Sequence, residues 1–330
     1  MYGYNYDYSR MERINRKRNL FKISNSAGLS CILFFVFSII VSIVVQIISQ
    51  SLSPYYSADA ITDFSLNLDY IIGTLIPIPL SFFIFAKINK MKISESLPLA
   101  FENKKKIFLT LFVAFGVIIP LRTIVGIFAV IVELIGGPSD LPELTHVDGL
   151  GGAIVMTTVV TLMTGLIEEF AFRGILLTSL RKYGDTFAVI VSSALFGLLH
   201  RHPVSVFSAF LLGMVMGYAV IISKSMWTSV IIHTLNNLQA IAFSVTSFRT
   251  GLVFSLIVTL FMVVIGVTAI IIAIVYRGKI KEEITFKKES LLTAWDKVSS
   301  VAFAPLIIIM VVLVIFFDPA MELLSNLIKF

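Results

Sequence analysis

Residues 29–49 read LSCILFFVFSIIVSIVVQIIS, twenty-one positions without a charged side chain. A helix of that length rises about 30 Å, the thickness of a bilayer's hydrocarbon core. Similar apolar runs recur at about 70–86, 107–132, 150–179, 186–200, 203–222, 226–247, 251–276 and 299–317, which makes nine candidate crossings. Lipid offers no partner to a free backbone N–H or C=O, so each run is expected to be helical. The expected fold is an all-α polytopic transmembrane helix bundle of eight or nine crossings. The run 186–200 is the shortest, and its length also fits a re-entrant segment.

Composition points the same way. The chain has 330 residues, of which 57% are hydrophobic and 14% charged, against roughly 45–50% and about 25% in soluble domains. Mean hydropathy is +0.95. A soluble enzyme and a disordered chain are both excluded on this basis. The net charge of +6 does not point to nucleic acid, because the basic residues cluster between apolar runs, as the positive-inside rule predicts. Six of them, Arg10, Arg13, Arg16, Lys17, Arg18 and Lys22, precede the first run. Lysines crowd 87–106, and lysines with Arg277 crowd 277–297. Segments 51–69 and 133–149 carry acids and no base. The alternation predicts a multi-pass cell-membrane protein with a cytoplasmic N-terminus. The first run is too long for a signal-peptide core and no small-residue cleavage site follows it, so it is expected to stay as an anchor. The single cysteine, Cys31, allows no intrachain disulfide.

Four parts follow from this reading: a basic cytoplasmic tail at 1–27, N-terminal membrane helices at 28–149, a helical core at 150–248, and C-terminal helices at 249–330. Tyr2, Tyr4, Tyr6 and Tyr8 are expected in a disordered tail. Within 277–297, residues 280–297 are expected as an amphipathic helix on the cytoplasmic face.

Ionisable side chains inside a membrane helix cost about 2.5–3.5 kcal/mol each on insertion scales, so they call for a function. The core holds nearly all of them. Glu168, Glu169 and Arg173 share the fourth run, Phe196 and His200 the fifth, and His233 and Asn237 the seventh. Glu169 and Arg173 are i,i+4 and close enough to pair. Glu168, about 100° round the helix, is then the carboxylate left for another partner. His233 and Asn237 share one helical face. A spare carboxylate, two imidazoles and an amide suit activation of a water or ligation of a divalent metal. Asn237 can instead donate to a developing oxyanion. Taken singly, each feature also has a structural reading. Glu169–Arg173 serves as an ion pair, His200 and His202 as interfacial residues, Phe196 as core, and Gly213 and Gly217 as a close-packing stripe. Arg122 calls for a partner that the sequence does not name.

The ordered strings Glu168-Glu169-x-x-x-Arg173, Phe196-x-x-x-His200 and His233-x-x-x-Asn237 resemble the motif set of the CAAX protease and bacteriocin-processing (Abi) family of membrane proteases. The fragment EEFAFRG, residues 168–174, is close to that family's first motif. The resemblance covers about residues 150–245. It implies an intramembrane endopeptidase with its site inside the helical core, open to the cytoplasm, acting on a peptide or membrane-protein substrate in the bilayer. By that resemblance Glu168 and His200 hold and activate the attacking water, and His233 and Asn237 stabilise the oxyanion or complete a metal site. Glu169 and Arg173 hold the helix and orient their neighbours. If a metal such as zinc takes part, Glu168, His200 and His233 are its expected ligands.

Depth presents a difficulty. His233 lies about seven residues, near 10 Å, into its helix from the cytoplasm, whereas His200 ends a run that by counting reaches outward. The expected resolution is that the fourth helix and the start of the fifth protrude into the cytoplasm. Two other classes compete with the protease. One is a proton-coupled transporter, against which stands the absence of paired broken helices. The other is a non-catalytic scaffold that confers bacteriocin immunity or regulates a membrane protein partner such as a sensor.

Overall fold

The computed structural model describes residues 2–101, 103–138, 158–245, 248–275, 286–288 and 291–328. Among them every regular element is a helix, so the all-α expectation holds. α1 (Tyr2–Leu52) runs unbroken. The Tyr-rich opening is therefore helical rather than a disordered tail. Between Tyr4 and Leu52 the chain has no proline and one glycine, Gly28, so nothing stops the helix from propagating into the basic segment. Pro54 stands just beyond its end.

α2 (Ala58–Leu75) starts where Ser57 accepts a hydrogen bond from the Ala60 N–H. It gives way at Ile76 to α3 (Pro77–Ile88), whose first residue has no N–H to offer the preceding turn. A single turn, α4 (Ile93–Ser96), precedes α5 (Lys104–Leu134), which Asn103 caps and which carries Pro120 inside it. The next run, α6, mixes helix types. π turns at Val159–Met163 and Phe170–Leu177 bracket an α segment at Thr164–Glu169, and Thr178–Leu180 and a 3-10 turn at Arg181–Tyr183 complete the run. Gly184, at φ +108°, turns the chain into α7 (Asp185–Leu198). α8 (Pro203–Ser223), α9 (Met226–Val245) and α10 (Phe248–Val275) follow. α11 (Ala294–Ala302) and α12 (Pro305–Ile328) close the chain.

Among the described residues four helical stretches are long and apolar enough to cross a membrane, or five if the bent pair α11–α12 counts as one. The chain is a multi-pass membrane protein. The count of eight or nine crossings rests on the sequence reading alone. Part of the fourth run, residues 150–157, lies outside the described residues, as do 280–285 and 289–290 of the expected amphipathic helix. Of its described residues, Phe286–Lys288 is not helical and Ala294–Lys297 is. Lys287 instead exchanges backbone bonds with Asp185: its carbonyl accepts from the Asp185 N–H at 3.0 Å, and its N–H donates to Asp185 Oδ2 at 2.9 Å. Helix resumes only after Thr293, where a capping box with Asp296 satisfies both ends of the first turn.

Two contacts tie the ends of the chain together. Asp296 receives Arg13 Nη2 at 2.6 Å and Lys17 Nζ at 3.3 Å. Farther along, Gly28 lets α1 cross α12 at backbone distance: a Cβ there would lie 2.5 Å from the Leu306 carbonyl carbon. The core between α1, α3, α6 and α7 is aromatic, with Phe172 lying between Phe82 (5.0 Å, tilted) and Phe196 (5.1 Å, edge-to-face).

Candidate active site

α6 and α7 form an antiparallel hairpin about Gly184. Phe172 and Phe196, each twelve residues from Gly184, meet with ring centroids 5.1 Å apart, which sets the register. Glu168 and His200 are each sixteen residues from Gly184, on the two arms of this hairpin. The corner itself is pinned by Arg181 to Asp185 at 2.8 Å and by the Lys287 backbone.

α9 crosses the α segment of α6 at Gly165. A Cβ on Gly165 would stand 3.1 Å from Thr234 Oγ1 and 3.7 Å from His233 Cβ. The missing side chain lets His233 reach the two acids. Its Nδ1 lies 3.0 Å from Glu169 Oε1, and its Nε2 lies 3.7 Å from Glu168 Oε2. The same Glu169 oxygen accepts from Arg173 Nη1 at 2.7 Å. Glu169 and Arg173 are fully buried, and a bare carboxylate there would be costly, so the pair neutralises itself. Paired with a guanidinium, Glu169 is an acceptor; Nδ1–H of His233 therefore donates to it, and Nε2 faces Glu168.

Arg173 has two further partners. Nη2 donates to the Gly213 carbonyl at 3.2 Å, and the guanidinium sits 4.5 Å from the centre of the Phe196 ring. Gly213 is required here, since a Cβ would lie 3.1 Å from Nη2. Gly217 faces Val189 of α7 at similarly close range. The packing reading of these two glycines is thus correct, and Gly213 also admits the arginine.

His200 lies two residues beyond the end of α7 and is exposed. Its Nδ1 lies 3.0 Å from the Phe196 carbonyl, an acceptor, so Nδ1 donates and Nε2 is the free edge. Phe196 is buried core, as its bland reading has it, yet its ring also touches both histidines, with centroids 5.0 Å from His200 and 5.8 Å from His233. Asn237 lies one turn beyond His233 on α9 and is half-buried. Arg122 of α5 acquires the partner its sequence left unnamed: Nη2 donates to Asn236 Oδ1 at 3.2 Å, on the same turn of α9 as Asn237. His202 stands outside the cluster, just ahead of α8.

Chemically the cluster leaves a carboxylate oxygen without a donor. Glu168 Oε2 is buried and has no hydrogen-bond partner, and it faces an imidazole nitrogen too distant for a direct hydrogen bond. A water, with two protons to give, suits that edge. A metal triad is a different matter. Among the described residues no group of three or more His, Cys, Asp or Glu side chains is arranged to hold a metal ion.

Sequence reasoning missed two positioning features. The π turn at Phe170–Leu177 carries no local signal. Gly165 had one in principle, a glycine one turn before two acids, but its use depends on which helix crosses there. Residues 97–99 were also read only as part of a basic loop. They hold the start of α9 through Met226 N–H to Pro98 O (2.7 Å) and Trp227 Nε1–H to Leu99 O (3.2 Å).

Comparison with known proteins agrees with the motif resemblance. Residues 150–239 match the family model described as type II CAAX prenyl endopeptidase Rce1-like. No curated protein and no solved structure matches the chain. The matched segment holds Glu168, Glu169, Arg173, His200, His233 and Asn237, and the match supports a membrane endopeptidase of the CAAX-protease kind in general.

Proposed function

We propose that this protein hydrolyses a peptide bond of a peptide or membrane-anchored protein inside the membrane, using a water activated by glutamate and histidine. The observation that carries this reading is the unsatisfied edge between Glu168 Oε2 and His233 Nε2, 3.7 Å apart, within the segment that matches the endopeptidase family. Glu168 acts as general base. It takes a proton from a water whose oxygen attacks the scissile carbonyl carbon, and His200, on the other arm of the hairpin, orients that water through Nε2. The tetrahedral oxyanion is met by the Asn237 amide and by His233, whose Nε2 receives the proton that Glu168 took from the water. Collapse of the intermediate breaks the C–N bond, and the proton first taken by Glu168 passes to the departing amine. Water has then added across the amide, OH to carbon and H to nitrogen.

Glu169 does not touch the substrate in this scheme. It holds Nδ1 of His233, so that Nε2 points at the reacting groups, and Arg173 keeps Glu169 ionised and in place. The basic first half of α1 and the lysines that open α5 support a cytoplasmic N-terminus in the cell membrane.

The test uses the purified full chain in detergent on a quenched peptide library, with Glu168→Ala and His200→Ala beside wild type, each with and without chelator. Cleavage by wild type that both substitutions abolish is the expected result. Cleavage that survives both would overturn the assignment. Loss on chelation, restored by zinc, would add a metal to the scheme.

A further inference from the structure

α5 and α8 leave an apolar groove of about 430 Å³ between them. Small side chains, Thr110, Ala114 and Ala219, make room for it where longer neighbours such as Leu121 and Met214 would otherwise close the gap. Along α8 the lining runs from Leu211 to Ile222, about 16 Å at 1.5 Å per residue. One leaflet is half of a hydrocarbon core of about 30 Å, hence about 15 Å deep. At one end, the start of α5, stands Lys106. Lys106 is the third of three consecutive lysines opening α5, and among the described residues no carboxylate pairs with it.

α8 separates this groove from the carboxylate–histidine cluster. Gly213 faces Arg173 on one side of the helix, while Met214, the next residue, lines the groove on the other. The groove is therefore a second site, and it does not depend on the protease reading. A helix about 10 Å across cannot enter a trough between two helices in contact, whereas one flexible hydrocarbon chain can.

We propose that the groove binds one acyl chain of an anionic phospholipid, with the lipid phosphate held by Lys106. The length matches a single leaflet, the lining is hydrocarbon, and the one charged lining residue is a cation at the end where a headgroup lies.

Native mass spectrometry of the full chain, delipidated in detergent and titrated with dioleoyl phosphatidylglycerol or dioleoyl phosphatidylcholine, tests this. Wild type is expected to hold one phosphatidylglycerol at least tenfold more tightly than phosphatidylcholine. Lys106→Glu should erase that preference, and Ala114→Phe, which fills the groove, should remove the bound lipid. Lys106 is at a helix end and half-buried, so its variant decides the matter even if Ala114→Phe does not fold. Equal affinity for the two lipids in wild type, or an unchanged preference in Lys106→Glu, overturns the proposal. So does full displacement by glycerol phosphate, which would make the site a phosphate site without a chain.

Discussion

Nε2 of His233 stands 3.7 Å from Glu168 Oε2, while Nδ1 of the same ring lies 3.0 Å from Glu169 Oε1. One imidazole thus meets both acids of the EE pair with its two nitrogens. The shorter contact is a hydrogen bond and fixes the ring. The longer one leaves an edge for chemistry. Adjacent carboxylates thereby acquire different duties, because Arg173 neutralises Glu169 alone at hydrogen-bond distance.

Glu168→Gln keeps the size of the side chain and removes its basicity. Peptide cleavage should fall by roughly 10²–10⁴ in kcat, the usual contribution of a general base. The thermal midpoint in detergent should stay near that of wild type, since the half-buried Glu168 has no hydrogen bond at Oε2 to lose. A variant retaining most of its kcat would remove Glu168 from the role of base.

Arg173→Met strands a buried carboxylate, whereas Arg173→Met with Glu169→Gln removes both charges. Breaking a buried pair from one side costs about 3–5 kcal/mol. The single variant should therefore melt well below wild type, and the double variant should regain part of that loss. Both should be poor catalysts, because His233 loses the ionised partner at Nδ1. Equal melting of the single and double variants would show that the pair carries no stability.

At Gly165 the expectation is steric. Gly165→Ala places a methyl about 3.1 Å from Thr234 Oγ1, pushing α9 and His233 away from the acids, and activity should drop at least tenfold. Thr234→Ala frees that space and breaks no hydrogen bond of Oγ1. The double variant should then recover most of the activity, as measured by kcat/KM, and failure of this rescue would argue against a steric cause.

Asp296 gives the end-to-end clamp a pH dependence. Burial works to raise its carboxyl, but hydrogen bonds from Arg13, Thr293 and Lys17 outweigh it and hold the group well below the usual carboxylate range. A carboxyl depressed in the folded state adds stability that is complete above its unfolded value, about 3.9, and is lost as pH falls below that. Thermal melts from pH 7 to pH 3 should show wild type losing stability in the acid part of this range. Asp296→Asn should start lower and lose less, and parallel slopes in the two proteins would contradict the clamp.

Much of the site was legible before any coordinates. Ionisable residues in apolar runs stand out because lipid penalises them, and Glu168, Glu169, Arg173, His200, His233 and Asn237 were all visible on that ground. The Glu169–Arg173 pair followed from i,i+4 spacing. Gly184 also sits midway in the sequence between Glu168 and His200. The Tyr-rich opening was misjudged, because composition describes solvent preference, whereas helix extent there is decided by the lack of a breaker in α1.

Insertion in a bilayer and an all-helical chain are determined by the sequence alone, because hydrocarbon forbids unpaired backbone and punishes charge wherever the chain folds. The choice of which acid holds the histidine belongs to the tertiary structure. Glu168 and Glu169 are neighbours of the same type, and local spacing could only separate their directions. The partner arrives from 64 residues away, on a helix whose approach is set by the absent side chain at Gly165.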